Sequence, residues 1–483
     1  MTKTPLTEWC DASAAHWDAA IRGSSAPQAA LKTMVMDETR AHIGYNEQSN
    51  FLVDLEKFYD YMDLSLMIDQ AMELDFPAVE LYLCCLTYLA PRAIRAQGAY
   101  AEEINPVCSI VPGCGKANHC ARAFLYRLLE KAHQQAPLAS IRQYVDDVHS
   151  RVEGPAAMVL EQTKQVSVSL VQGMLDLGLR VSPKSILMMS VPAHEQEVQK
   201  HVLKVTGIKI KRAKWAKDPG TDCNMGQRRT CKTTKGRLSV AQARTARSTL
   251  FRRVGRGSKR TKGVMLHNNN IRAKYRNADP ATGVAPSEMK MRRARAADLA
   301  GHTTGGRCTA TVMLLHYQDD EPKMSAIIDQ VKNWFQFWVA NPDMRERVRR
   351  GWRAVLKKLI YTRPRARWRC ITGPMGALIL SLRELGWTPR APDMWIDDQG
   401  DEWRHLGDHD SYDELYQDHY REAGALEANA LASIWTKARA KAAGYVCDDV
   451  CIKCGLGPDT IGHRLYECTV NRQLEHEWVA RLT

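Results

Sequence analysis

The apolar positions of residues 51–190 switch between two periods, and the order of the switches sketches a small domain. Phe51-Leu52-Val53-Asp54-Leu55 is a short apolar run with one carboxylate set into it, the pattern of a buried strand. Asp63 stands where a helix N-cap belongs. After it, Leu64, Met67, Ile68, Ala71 and Met72 recur at helical spacing until Pro77 ends the run. A second helix follows Gly113-Cys114-Gly115, with Phe124, Leu125, Leu128 and Leu129 on its apolar face. Ile141 to Val148 predicts a strand, a tight turn and a return strand. A helix from about Pro155 to Leu177 is closed by Gly178, a residue suited to the left-handed position just past a helix end. A strand from Leu179 to Met189 completes the order β-α-α-β-β-α-β, which predicts an α+β domain: a small antiparallel sheet with helices on one face.

Elsewhere the helical period dominates. Residues 1–50 hold helical stretches such as Ala29 to His42. Ile327, Val331, Trp334 and Trp338 share one helical face before Asn341-Pro342 stops the run. Residues 201–300 are rich in Gly, Ser, Thr and Asn, with turn signals at Asp218-Pro219-Gly220 and Asn268-Asn269-Asn270, and read as irregular helix with flexible stretches. Trp334, Trp338, Trp352, Trp368, Trp387, Trp395 and Trp403 could stack on bases, but helical spacing makes most of them core. Asp397-Asp398-Gln399-Gly400-Asp401 reads as a polar hairpin turn or a cation site.

Composition narrows the class. With 483 residues, 45% of them apolar and 25% charged, the chain can bury several cores and is neither collagen-like nor wholly disordered. No uncharged apolar run approaches the ~20 residues of a membrane helix. Glu8, Asp11 and Asp18 interrupt the start, where no apolar signal region shows. The expectation is a soluble intracellular protein without a membrane partner, its 14 cysteines reduced. The net charge of +14 is uneven: residues 201–300 hold 26 Lys+Arg against 5 Asp+Glu, and the other 383 hold 42 against 49. Such a concentration points to a polyanion, nucleic acid first, with Arg252, Arg253, Lys259 and Arg260 as candidate phosphate contacts.

Two constellations carry chemistry. Asp146 and Asp147 sit side by side at a predicted hairpin tip, where like charges cost stability unless a cation neutralises them. By itself such a pair is also ordinary turn chemistry. If the strand ending at Asp54 neighbours that hairpin, Asp54 and Asp146 converge with Asp147 beside them. Three carboxylates suit Mg²⁺, and two such ions can drive in-line displacement at a phosphate. Near the other end, Cys451-x₂-Cys454-x₈-His463-x₄-Cys468 supplies three thiols and one imidazole, the donor set of a closed structural Zn²⁺ site. Cys447 is an alternative ligand.

Tyr144-Val145-Asp146-Asp147 resembles the Tyr-x-Asp-Asp signature of reverse transcriptases, and residues 51–60 resemble the first palm motif of that family. The resemblance covers about residues 26–225. It implies that Asp54, Asp146 and Asp147 are catalytic and hold Mg²⁺ or Mn²⁺, and that Tyr59 screens the sugar 2′ position. Ile110-Val111-Pro112-Gly113-Cys114 is similar to the motif contacting template and nucleotide, with Pro112 where the family has Gln; Gly113 is its matching site residue. Lys184 in Ser182-Pro183-Lys184 matches a lysine near the incoming triphosphate, and Lys217-Asp218-Pro219-Gly220 resembles the turn that grips the primer. The zinc knuckle, placed after the polymerase region, resembles that of non-LTR, LINE-type elements. About fifty residues precede Asp54, fewer than the family's fingers region, so the resemblance implies an N-terminally shortened enzyme.

The resulting expectation is a right-hand polymerase-like palm over 51–200, after a remnant of fingers or lead-in helices in 1–50. A basic thumb or connector follows over 201–300, then a helical region over 301–443 and a zinc knuckle over 444–483. The expected function is RNA-directed DNA polymerase of a retrotransposon, in nucleus and cytoplasm. Its partners would be an RNA template, a DNA primer and deoxynucleoside triphosphates. The alternative is a catalytically inactive, retrotransposon-derived nucleic-acid-binding protein. No RNase H or endonuclease constellation shows in these residues.

Overall fold

Strand β1 (Glu47–Val53) runs through the middle of a five-stranded sheet, and each of its faces buries a different kind of side chain. In the computed structural model the spatial order is β2 (Ser140–Tyr144), β3 (Asp147–Gly154), β1, β4 (Ile186–Met189) and β5 (Lys211–Arg212). All neighbours are antiparallel except the short parallel pair β4–β5. The structure describes residues 4–404 apart from 22–23, 45, 219, 226–229, 252–258, 273–275, 300–308, 310–311, 314–316 and 318–320. It also describes 450–451, 454–460, 463 and 468–472. Contacts divide the chain into one unit of residues 1–313 and 322–404, and another of 314–321 and 405–483.

The alternation of a strand decides what each face meets. Register pairs Val53 with Val148, Ser49 with Val152 and Phe51 with Leu187. These join α3 (Ala117–Gln135), α4 (Ala156–Asp176) and α5 (Pro192–Thr206) in one apolar core that includes Phe124, Leu125, Val166, Leu170 and Val198. Each large aliphatic or aromatic side chain buried there contributes roughly 1.5–3 kcal/mol.

Helices are expected on one face only, yet the other face is buried as well. Gln48, Asn50, His149 and Arg151 point away from the apolar core and are 0–6% exposed. Three of them meet Asp37 of α1 (Ala26–Ile43), which accepts from Gln48, from Asn50 Nδ2 at 3.3 Å and from Arg151 Nε at 3.2 Å, while His149 Nε2 lies 3.1 Å from Asn50 Oδ1. Most of these buried polar groups therefore have a partner that offsets their desolvation, the Gln48 Oε1 atom excepted. Helix α1 turns its apolar residues Leu31, Met34 and Val35 toward a second core. That core is built by α6 (Pro322–Ala340), α7 (Arg345–Tyr361) and α8 (Pro374–Arg383), where Trp334 and Trp352 lie 5.5 Å apart. Trp338 and Trp395 are also core.

Most local expectations match in kind. Asp63 accepts from Leu66 N at 2.8 Å and caps α2 (Leu64–Glu73). Gly178 follows α4 at φ +74. Asp397 Oδ1 accepts from the amides of Gln399 and Asp401, so that cluster is a hairpin turn. Residues 216–223 form another hairpin, β6 (Ala216–Asp218) with β7 (Thr221–Cys223). The strand expected over Leu179–Met189 is shorter. Ile186–Met189 joins the ladder and Val181 adds a single antiparallel bridge to Leu55, while Pro183 has no N–H to offer and residues 182–185 turn between them. An eleven-residue helix at Ala78–Tyr88 is additional to the expected order. No described helix is long and apolar enough to cross a membrane.

Candidate active site and metal centre

Asp54 leaves the end of β1, and extending the β1–β3 register one step past Val53–Val148 sets it opposite Asp147. Asp146 lies in the two-residue turn between Tyr144 and Asp147, which pair across β2–β3. That turn is strained: Val145, a β-branched residue, sits at φ +61, a region such side chains avoid at a cost on the order of 1–3 kcal/mol. Gln143 Nε2 holds the turn by donating to Val145 O at 3.0 Å.

The carboxylates feel one another. Desolvation raises the pKa of Asp146, with Asp54 adding to it. Asp147 keeps part of its surface in water, yet desolvation of its carboxyl, then the anions Asp146, Asp218 and Asp54, push it up to about 6. The three aspartates are hard oxygen donors whose mutual repulsion a divalent cation would relieve. They are not, however, a close-set ligand group. Among the described residues, the one such group is in the other unit.

The neighbouring candidates are fastened around Asp54. Tyr59 O accepts from Ile110 N at 3.0 Å, and the Tyr59 hydroxyl donates to Asn118 Oδ1 at 3.0 Å, so the 110–118 segment is tied to the residues after β1. Burial, with Asp146 nearby, pushes the Tyr59 phenol up to about 12. Gly113 holds φ +87, which a side chain would strain. Lys184 is exposed on the 182–185 turn. Ser182 N donates to Asp54 O at 2.8 Å, so that turn is pinned to Asp54.

Three contributors were not singled out as site residues. Ser185 holds the Asp54 backbone, Asn118 orients Tyr59, and Asp218 lies near Asp147. Asp218 ends the first strand of the β6–β7 hairpin. It pairs with Arg142 and lies 3.6 Å from His149 Nδ1. Asp218-Pro219-Gly220 is visible in the sequence as a turn but not as a neighbour of Asp147, and Ser185 falls within the strand expected over Leu179–Met189.

In the second unit, the ligand atoms of Cys451, Cys454, His463 and Cys468 all lie within 4.8 Å of one another. Cys454 Sγ is 3.1 Å from His463 Nε2. Local chemistry draws the four together. Gly455, at φ +67, donates to Cys451 O at 2.9 Å, and Cys451 N donates to Gly457 O at 2.8 Å. A Cβ on Gly457 would stand 2.8 Å from the His463 ring, so only glycine lets the backbone pass. Cys468 N donates to His463 O at 2.7 Å. Three thiols and an imidazole in this arrangement could hold a metal such as zinc, whose four-coordinate preference the set satisfies without a further donor. Cys447 lies outside the described residues.

Arg252 and Arg253 also lie outside the described residues, and Lys259 and Arg260 begin the helix Lys259–Leu266. Not all of the basic surplus in 201–300 faces solvent: Arg292 is buried in a two-pronged pair with Asp279, at 2.6 and 2.9 Å. No family model matches the chain, and no curated protein matches it.

Proposed function

We propose that this chain is an RNA-directed DNA polymerase of the non-LTR retrotransposon type, extending a primer 3′-hydroxyl on an RNA template. The observation that carries the reading is the meeting of Asp54, at the end of the central strand, with the Asp146-Asp147 turn of its neighbour. Asp54, Asp146 and Asp147 would hold Mg²⁺ or Mn²⁺, which when bound supplies Lewis-acid activation and charge stabilisation at the phosphate. Tyr59, its hydroxyl held by Asn118, would exclude a sugar 2′-hydroxyl. Lys184 would meet the triphosphate and Gly113 the template or nucleotide. Residues 201–300 would hold the template–primer backbone, and the Cys₃His site would hold Zn²⁺ and help bind RNA. Nucleus and cytoplasm are the corresponding locations.

A second reading, a retrotransposon-derived nucleic-acid-binding protein without catalysis, is favoured by one observation: the three aspartates are not a close-set ligand group. Extension of a DNA primer annealed to RNA, with deoxynucleotides and Mg²⁺ or Mn²⁺, separates the two. The polymerase reading requires template-directed incorporation that Asp54→Asn removes. Tight template binding with no incorporation by the unaltered chain leaves the binding reading standing.

A further inference from the structure

Residues 345–369, helix α7 and the turns after it, carry eleven Lys and Arg against a single acidic residue, Glu346. The structure sorts these cations by direction. Those along the flanks are engaged: Arg347 Nη2 reaches both oxygens of Glu153 at 2.7 and 2.8 Å, and the part-exposed Arg349 pairs with Asp393 at 2.7 Å. Because Glu153 belongs to β3, the helix is anchored to the central sheet. Those facing outward are different. Arg350, Lys357, Arg363, Arg365 and Arg369 are exposed and have no carboxylate partner among the described residues. Arg353 has a loose carboxylate neighbour in Glu346, at 3.7 Å with both side chains about two-thirds in water, and its Nε donates to Arg349 O at 3.4 Å.

Arg350, Arg353 and Lys357 recur at helical spacing and form one stripe about 10 Å long at 1.5 Å rise per residue. The stripe ends at Tyr361, which is 80% exposed. We propose that the outer face of α7 and the turns up to Arg369 form a binding surface for a nucleic-acid backbone, additional to the basic segment 201–300.

The chemistry favours this occupant. Five of the six outward cations are guanidinium groups, which bind phosphate oxygens with two parallel hydrogen bonds. Tyr361 offers an exposed ring on which a base can stack. A surface built for solubility alone mixes both signs, whereas this one sets six outward cations against the single acid Glu346. A membrane-surface helix needs its apolar face free. Here Val348, Trp352, Val355 and Leu359 are 0–2% exposed and belong to the second core. Only the cationic face is available.

The inference does not depend on polymerase activity, so its test reads binding. The full chain and the variant Arg350→Ala/Arg353→Ala/Lys357→Ala are titrated with a single-stranded RNA oligomer over a range of salt. Each phosphate contact on a single strand contributes about 0.7 to the slope of log K against log salt, so the variant's slope should flatten by about 2. Thermal unfolding should be unchanged, because the three side chains are exposed. In the unaltered chain, bound RNA should also shield Lys357 from an amine-acetylating reagent, a readout that needs no variant. An unchanged slope, or Lys357 acetylated at the same rate with and without RNA, overturns the proposal. So does loss of binding to phosphatidylserine vesicles with RNA binding intact.

Discussion

The backbone of Asp54 and the side chain of Ser185 hold each other: Asp54 N donates to Ser185 Oγ at 3.1 Å, and Ser185 Oγ donates to Asp54 O at 3.2 Å. One hydroxyl thus satisfies the donor and helps satisfy the acceptor of a residue that has left the sheet ladder. Ser185→Ala strands that amide in a buried place and should cost about 1–2 kcal/mol of unfolding free energy, read by urea denaturation. Because the same contact aims Asp54, primer extension should fall further than RNA binding. A variant as stable as the parent would show that water replaces the hydroxyl.

Glu38 predicts a pH signature. Its carboxyl is buried at the start of α8 and accepts from Met375 N at 2.7 Å and Gly376 N at 3.2 Å. Burial nevertheless pushes it from 4.5 up to about 7. The folded chain therefore keeps a proton that the unfolded chain releases. This contribution is full below about pH 4.5 and is lost as pH rises to about 7, on the order of 3 kcal/mol. His42, which shares the Thr372 hydroxyl with Glu38, acts oppositely: burial, then Lys358, lowers it from 6.5 to about 4. Its contribution is present above pH 6.5 and is lost as pH falls to about 4. The two slopes oppose each other between 4.5 and 6.5. Glu38→Gln should leave the histidine slope exposed, so that stability climbs with pH across that window about 2–3 kcal/mol more than in the parent. Parallel pH profiles from urea unfolding would contradict this.

For the cysteine site, about one Zn²⁺ per chain is expected in freshly reduced protein, since one Cys₃His set completes one tetrahedron. Cys454→Ala/His463→Ala should release the metal and leave the melting of the larger unit unchanged. Elemental analysis checks the first point and circular dichroism the second. Absence of zinc from the unaltered protein would remove the assignment.

In the basic segment, replacing Arg252, Arg253, Lys259 and Arg260 together with Ala should flatten the salt slope of nucleic-acid binding by roughly three to four units if each meets a duplex phosphate. The same slope in parent and variant would mean that the cluster is simply solvated.

What could be read from the chain was local. The Asp63 cap, the Gly178 stop, the turn at 145–146, the tryptophan core and the Cys/His spacing each depend on residues a few positions apart. The buried polar face of the sheet does not. Gln48, Asn50, His149 and Arg151 alternate as solvent-facing residues do, and the partners that make them interior, Asp37 and Asp218, lie far off in the chain, Asp37 over a hundred residues from Arg151. Ala78–Tyr88 escaped notice because Val79, Tyr82, Leu83 and Leu86 are apolar yet exposed, which blurs its amphipathic pattern. The basic face of α7 is hidden in a coarse charge count, because the residues outside 201–300 taken together carry more acid than base.

The central claim is that the Asp54–Asp146–Asp147 group performs nucleotidyl transfer while other surfaces hold the template. Asp146→Asn tests it most directly, in a paired measurement of incorporation on an RNA-templated DNA primer and of RNA affinity. Removing one anion changes the reacting centre and leaves the cationic surfaces intact. The expected result is incorporation by the parent chain with Mg²⁺ or Mn²⁺, its loss in Asp146→Asn, and RNA affinity equal or slightly higher. Incorporation that persists in Asp146→Asn, or a parent chain that binds RNA tightly and incorporates nothing, would contradict the claim.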